Sequence, residues 1–160
     1  MSEITEPPLA IAAASVAPRT RPTSYPEPYA SQMAKREKRQ LGDLFGLKNF
    51  GVNLTRIAPG GISSILHRHT RQDEFIYIIE GQPTPVTDRG EVVLTPGMCA
   101  GFPAAGVAHQ LVNATGADVV YLEIGDRTPG DQGIYPNDDI IANFVPGGGW
   151  QYTHKDGTPY

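Results

Sequence analysis

Four side chains in this 160-residue chain have types and spacings that suit metal chemistry. Histidine is scarce, four in all, and two stand together as His67-Arg68-His69. In a strand, residues i and i+2 point to one face, so these imidazoles can share an ion. Glu74 follows His69 by five positions, and a reversal at Thr70 to Asp73 brings its carboxylate back beside the imidazoles. His109 sits on a later strand, after a Gly/Pro-rich turn, from which it can reach the same point. Imidazoles plus one carboxylate suit a borderline divalent transition metal: iron, manganese, zinc or nickel. Two His and one carboxylate on one face leave open positions, as non-haem iron sites need, whereas Ca²⁺ and Mg²⁺ prefer oxygen. Such an ion polarises a carbonyl or activates water or dioxygen.

Other candidates are weaker. Phe50, Val52 and Leu54 share a phase with Arg56. If their alternation continues, Arg56 points inward and pairs with a substrate carboxylate or phosphate; if the strand ends first, it is solvated. In the Glu74 strand, Ile76, Ile78 and Glu80 share the carboxylate's phase. Phe75, Tyr77 and Ile79 face away, toward sheet packing or a dimer interface. Tyr121 and Glu123 are opposite in phase to Val120 and Leu122, so one pair faces out, and no general base stands out. Cys99 reads as a small packing residue, and His154 as a surface or packing residue. The charge run Lys35-Arg36-Glu37-Lys38-Arg39 reads as a solvated face in preference to an anion-binding patch.

The elements that must position these groups are short strands. Glu74 to Glu80, Cys99 to Phe102, His109 to Asn113 and Val119 to Ile124 are strand candidates, as are Phe50 to Thr55 and Ile62 to His69. Val86-Thr87 and Glu91 to Leu94 flank a hairpin turn at Asp88-Arg89-Gly90. About eight strands at roughly ten-residue intervals predict a sandwich or barrel. Residues 1–40 hold a Pro-rich extended arm followed by a short helix over Ser31 to Gln40, residues 41–126 the barrel, and 127–160 a looser extension. The apolar islands of that extension, such as Ile134-Tyr135 and Trp150 to Thr153, are expected on the barrel's outside.

Composition agrees. Ile and Val together number 22 against 9 Leu, and Gly and Pro total 33, which favours an all-β domain over a helical bundle. A net charge of -4 disfavours a nucleic-acid surface. The longest mostly apolar run, Leu9 to Ala17, is too short to span a bilayer and follows Glu3 and Glu6, unlike a signal peptide. A lone cysteine allows no internal disulfide, so a cytoplasmic location is expected.

Gly61 to Gly81 (GISSILHRHTRQDEFIYIIEG) resembles the first motif of the cupin superfamily at every spacing. Gly97 to Asn113 (GMCAGFPAAGVAHQLVN) resembles the second, with one departure: Ala104 and Ala105 stand between Pro103 and Gly106 where the family usually has one residue. The extra residue lengthens a turn without altering the Gly106–His109 spacing. The 15-residue stretch between the motifs is short, as in compact bacterial cupins. Leu41-Gly42-Asp43, Asn49 to Val52 and the Lys155 to Tyr160 ending extend the likeness to small single-domain bacterial members of no assigned reaction.

The resemblance implies a double-stranded β-helix, or jelly roll, with one divalent metal in its mouth. His67, His69, Glu74 and His109 take the family's ligand positions. It implies a small-molecule substrate and a homodimer. The leading expectation is a metal-dependent enzyme on a small polar or anionic metabolite, of sugar or sugar-phosphate isomerase type. A Fe(II)-dependent dioxygenase and a non-catalytic binding or sensory module are the alternatives. Cupins host many chemistries, so the fold alone does not choose among them.

Overall fold

The structure, a computed structural model, describes residues 6–147 and 149–160; the first five residues of the arm lie outside them. Twelve strands, two four-residue helices, α1 (Tyr29–Gln32) and α2 (Leu41–Leu44), and one 3₁₀ turn (Ala13–Ser15) make up the regular elements of the described residues. One sheet has the order β1 (Arg36–Gln40), β2 (Phe50–Ile57), β9 (Val119–Asp126), β4 (Glu74–Glu80), β7 (Cys99–Phe102). A second runs β12 (Trp150–Thr153), β11 (Ile141–Phe144), β10 (Gln132–Ile134), β3 (Arg68–His69). A third has the order β6 (Gly90–Glu91), β5 (Thr84–Thr87), β8 (His109–Val112). Antiparallel bridges Ile62↔Val112 and His67↔His109 join the third sheet to the chain leading into β3. The second and third sheets thus form one continuous wall facing the first, the jelly-roll arrangement.

The inner face of the first sheet is set by period-two alternation and by register. Ile57, Val119, Tyr121, Ile76 and Ile78 are all at most 1% exposed and form a core with Leu94, Phe102 and Leu111. Each fully buried aliphatic contributes about 1.5–3 kcal/mol over an exposed one. A second cluster, Tyr29, Met33, Ile65, Tyr135, Ile140 and Ala142, seats α1 on the second sheet. Gly81 ends β4 at φ +78°, where an added Cβ would lie 2.9 Å from Val119 Cα and press on Asp118 O.

The extra residue in the second motif has a place. Ala105 takes φ +57°, and its N–H donates to His69 O at 2.8 Å. The lengthened turn is therefore tied to the strand that carries one of the imidazoles.

Three expectations give way. Residues 36–40, read as part of a helix, form β1 and pair with β2, because β2 leaves an edge for them on the side away from β9. Ile62 to His69 is mostly irregular, with only Arg68–His69 in a strand. The apolar islands after residue 127 are not on the barrel's outside: β10, β11 and β12 extend the sheet begun by β3 and help enclose the cavity. None of the described helices is long and apolar enough to cross a membrane.

Candidate metal centre

The two facing sheets enclose a cavity of about 320 Å³, lined by all four sequence-predicted ligands. Glu74 opens β4 on its inward face. His109 opens β8 and stacks on Phe102 of β7 with ring centroids 3.7 Å apart. His67 and His69 come from the segment that bridges to β8 and then enters β3. Their Nε2 atoms stand 3.1 Å apart. Glu74 Oε2 lies 3.0 Å from His109 Nε2, 3.6 Å from His69 Nε2 and 4.0 Å from His67 Nε2. The tightest group is His67, His69 and Glu74, whose donor atoms all lie within 4.8 Å of one another; His109 joins it through Glu74.

The other ring nitrogens fix the tautomers. His67 Nδ1 faces Ile65 O at 2.9 Å, His109 Nδ1 faces Val107 O at 3.3 Å, and His69 Nδ1 faces Asp131 Oδ2 at 2.6 Å. Carbonyl and carboxylate oxygens only accept, so Nδ1 carries the hydrogen in His67 and His69 and their Nε2 atoms present lone pairs, while His109 Nε2 faces the Glu74 carboxylate and donates to it. The His67 and His69 lone pairs then converge on the Glu74 carboxylate oxygen, an arrangement that a shared cation satisfies. Donors about 2.1 Å from one ion stand no more than about 4.2 Å apart, and the separations of 3.1, 3.6 and 4.0 Å within the His67, His69 and Glu74 group obey that bound. The donor set therefore fits a divalent transition metal.

The electrostatics agree. Burial holds His67 down at about 4 against the pull of Glu74, so its ring is neutral at pH 7. Burial alone would raise the Glu74 carboxyl, but the hydrogen bond from His109 and the neighbouring imidazoles hold it well below the carboxylate range. Burial likewise works to lower His69, and the Asp131 and Glu74 carboxylates outweigh it, leaving the ring more basic than usual. Asp131 is 1% exposed and also accepts from the backbone N–H groups of Arg71 (2.7 Å) and Gln72 (3.3 Å).

Arg56 is placed elsewhere. It is exposed, with Nε 2.6 Å from Asp118 Oδ2, and it does not line the cavity. The strand does continue, but its inward phase is Gly51, Asn53, Thr55 and Ile57, the reverse of the expected one. The inner face is polar here because it walls a cavity.

Two cations that do line the cavity, Arg36 and Lys38, come from the charge run read as solvated. Register pairs Arg36 with Ile57, Lys38 with Thr55 and Gln40 with Asn53, so the even-numbered residues of β1 follow the inward phase of β2. Lys38 Nζ is hydrogen-bonded to Glu123 Oε1 on β9; Asn53 Nδ2 donates to the same oxygen at 3.3 Å, and Tyr121 OH donates to Oε2 at 3.3 Å. Burial pulls the Lys38 ammonium below its usual range although Glu123 works the other way. It also pushes the Tyr121 phenol well up. A period-two reading of residues 36–40 would have found Arg36 and Lys38. Asp131, in a Pro-Gly-Asp turn, carries no local signal.

The second sheet supplies aromatic walls. Tyr135 stacks on His67 with centroids 5.6 Å apart, and Trp150 lies 5.7 Å from His69. Cys99 is exposed on the outer face of β7, not packed. His154 sits on the surface against Asp139 (2.9 Å) and Tyr160, away from the cavity.

Comparison with known proteins follows the same lines. A family profile for the cupin domain matches residues 53–125. Comparison with curated proteins returns no match. A sugar phosphate isomerase of the cupin superfamily from Silicibacter pomeroyi is 39% identical with a TM-score of 0.87, over 94% of this chain and 96% of its own. A protein from Acidithiobacillus ferrooxidans, described provisionally as a sugar phosphate isomerase, is 30% identical with a TM-score of 0.70, over 78% of this chain and 80% of its own. The polyketide cyclase RemF of Streptomyces resistomycificus, 21% identical with a TM-score of 0.61 over 73% of this chain and 78% of its own, shares the fold. Likeness over nearly the whole of both chains, on the same two-sheet barrel, establishes that this chain belongs to the cupin superfamily.

Proposed function

We propose that the protein is a metal-dependent isomerase of sugar phosphates, with His67, His69, Glu74 and His109 as the ligands of one divalent transition metal. The observation that carries this reading is a second inward carboxylate in the same cavity. Glu123 pairs in register with Ile76, and Glu74 with Gly125, so the two acids stand on adjacent strands one row apart. The relative from Silicibacter pomeroyi, described as a sugar phosphate isomerase, supports the same class.

When bound, the metal supplies Lewis acidity toward a substrate carbonyl or hydroxyl. Glu123 then serves as the base. Lys38 and Tyr121 hold its two oxygens, which fixes the carboxylate's orientation and offsets its charge. Glu123 takes the proton from the carbon beside the carbonyl and returns it to the neighbouring carbon. The hydroxyl proton crosses between the two substrate oxygens, so protons and electrons balance without a co-reactant. Tyr135 and Trp150 limit water around the reacting end.

The test uses metal-loaded protein, whose ion is identified by elemental analysis, with a panel of triose to hexose phosphates in deuterium oxide. Proton NMR is expected to show an isomer carrying solvent deuterium. Glu123→Gln is expected to abolish both isomer and deuterium while metal content persists. No turnover of any member, or undiminished turnover in Glu123→Gln, overturns the assignment. Iron content with oxygen uptake in place of isomerisation would instead favour the dioxygenase.

The proposal includes a homodimer. Phe75, Tyr77 and Ile79 are 40, 42 and 39% exposed on the outer face of β4, next to Cys99, and form an apolar strip. Sedimentation velocity is expected to give a dimer for the wild type and a monomer for Tyr77→Glu. A wild-type monomer would remove this element.

A further inference from the structure

Among the cations lining the cavity, two lack a carboxylate partner. Lys38 pairs with Glu123, and Arg127 with Asp43. Arg36 instead donates to Ser63 O and to Thr23 Oγ1 (3.4 Å), both uncharged. Arg19 is half-buried, and its guanidinium has no hydrogen-bond acceptor among the described residues. Its backbone is secured: Arg19 N–H donates to Lys38 O at 2.9 Å, which docks the arm on β1. Two partly desolvated guanidinium groups are thus presented to one cavity without an anion between them. Isolated charges in such a place are costly unless compensated, so the arrangement calls for an anionic ligand.

The surroundings suit a phosphoryl group. Guanidinium forks match phosphate oxygens bidentately. The hydroxyls of Thr23, Ser24 and Tyr152 line the same cavity, with Ser24 Oγ 3.0 Å from Tyr152 OH. Arg36 is anchored to Ser63, and Ser64 Oγ lies 3.3 Å from His67 Nδ1, so a short run of chain links the guanidinium to the imidazole cluster.

We infer that Arg19 of the N-terminal arm and Arg36 of β1 form a phosphate-binding subsite in the cavity that holds the imidazole cluster. The choice of a phosphoryl group rests on the isomerase reading. The subsite assigns the arm a role in substrate selection: a sugar held by its phosphate extends its carbonyl end toward the histidines, and an unphosphorylated sugar lacks that grip.

Titration calorimetry on the metal-loaded full chain tests it, with inorganic phosphate, ribose 5-phosphate and ribose as probes. Ribose 5-phosphate is expected to bind best and ribose weakest, and inorganic phosphate to compete with ribose 5-phosphate. Arg19→Gln is expected to weaken both phosphorylated probes about tenfold, the loss of one charge-assisted contact, with metal content and melting temperature unchanged. Arg19→Lys should recover part of that affinity. Arg36→Gln should act alike; if it unfolds because Ser63 loses its prop, the Arg19 pair decides. Unchanged affinities in Arg19→Gln, a wild type that binds no phosphate, or phosphate binding lost only with the metal in His67→Ala each overturn the subsite. Phosphate binding that depends on Arg19 without turnover of any sugar phosphate would sink the isomerase and keep the subsite. Turnover indifferent to Arg19 would do the reverse.

Discussion

Replacing Asp131 by Asn is expected to weaken metal binding with little harm to the fold. The carboxylate has two unlike ends. Oδ1 accepts from three donors, the N–H groups of Arg71 and Gln72 and the Thr70 hydroxyl (3.2 Å), while Oδ2 faces His69 Nδ1 alone at 2.6 Å. An asparagine keeps most of this only with its carbonyl at the Oδ1 position. Its amide nitrogen then points at His69 Nδ1 and donates to it. The ring must move its hydrogen to Nε2, which stands 3.1 Å from His67 Nε2 and 3.6 Å from Glu74 Oε2. The lone pair needed by an ion is gone, and the new N–H satisfies the cluster in its place. Loss of a partner behind a metal-bound imidazole costs about 10- to 100-fold in affinity, or about 1.4–2.7 kcal/mol. Competition against a chromophoric zinc chelator at neutral pH measures this directly, with circular dichroism as the control for folding. Wild-type affinity in Asp131→Asn would refute the tautomer argument. A lowered melting temperature with metal affinity intact would reduce Asp131 to a staple of the 70–72 turn.

Two further predictions concern the barrel itself. Thr55 is fully buried on β2, and its Oγ1 has no hydrogen-bond partner among the described residues; Thr55→Val should raise stability by about 1 kcal/mol in urea titration, and a loss would mean the hydroxyl has a partner. Gly81→Ala should cost more than about 2 kcal/mol, since φ +78° and the nearby Asp118 and Val119 backbone both oppose a Cβ. Near-wild-type denaturation would show that this turn relaxes freely.

What the chain declares locally is its strands and its ligands. β4 and β7 run over Glu74–Glu80 and Cys99–Phe102 as their alternation predicts. The His67/His69 pair and Glu74 are near neighbours in sequence, so period two and one turn suffice to bring them together. What local pattern could not decide is which face of a strand looks inward. On β2 the apolar residues Phe50, Val52 and Leu54 face out, and Asn53 faces the cavity, because a wall that holds polar ligands inverts the usual rule. The charge run became a strand for a similar reason: its partner, β2, lies more than a dozen residues on. The remaining contacts join residues far apart in the chain, His69 to Asp131 across 62 positions and Lys38 to Glu123 across 85. Such pairs follow from sheet order and register, which only the closed barrel sets.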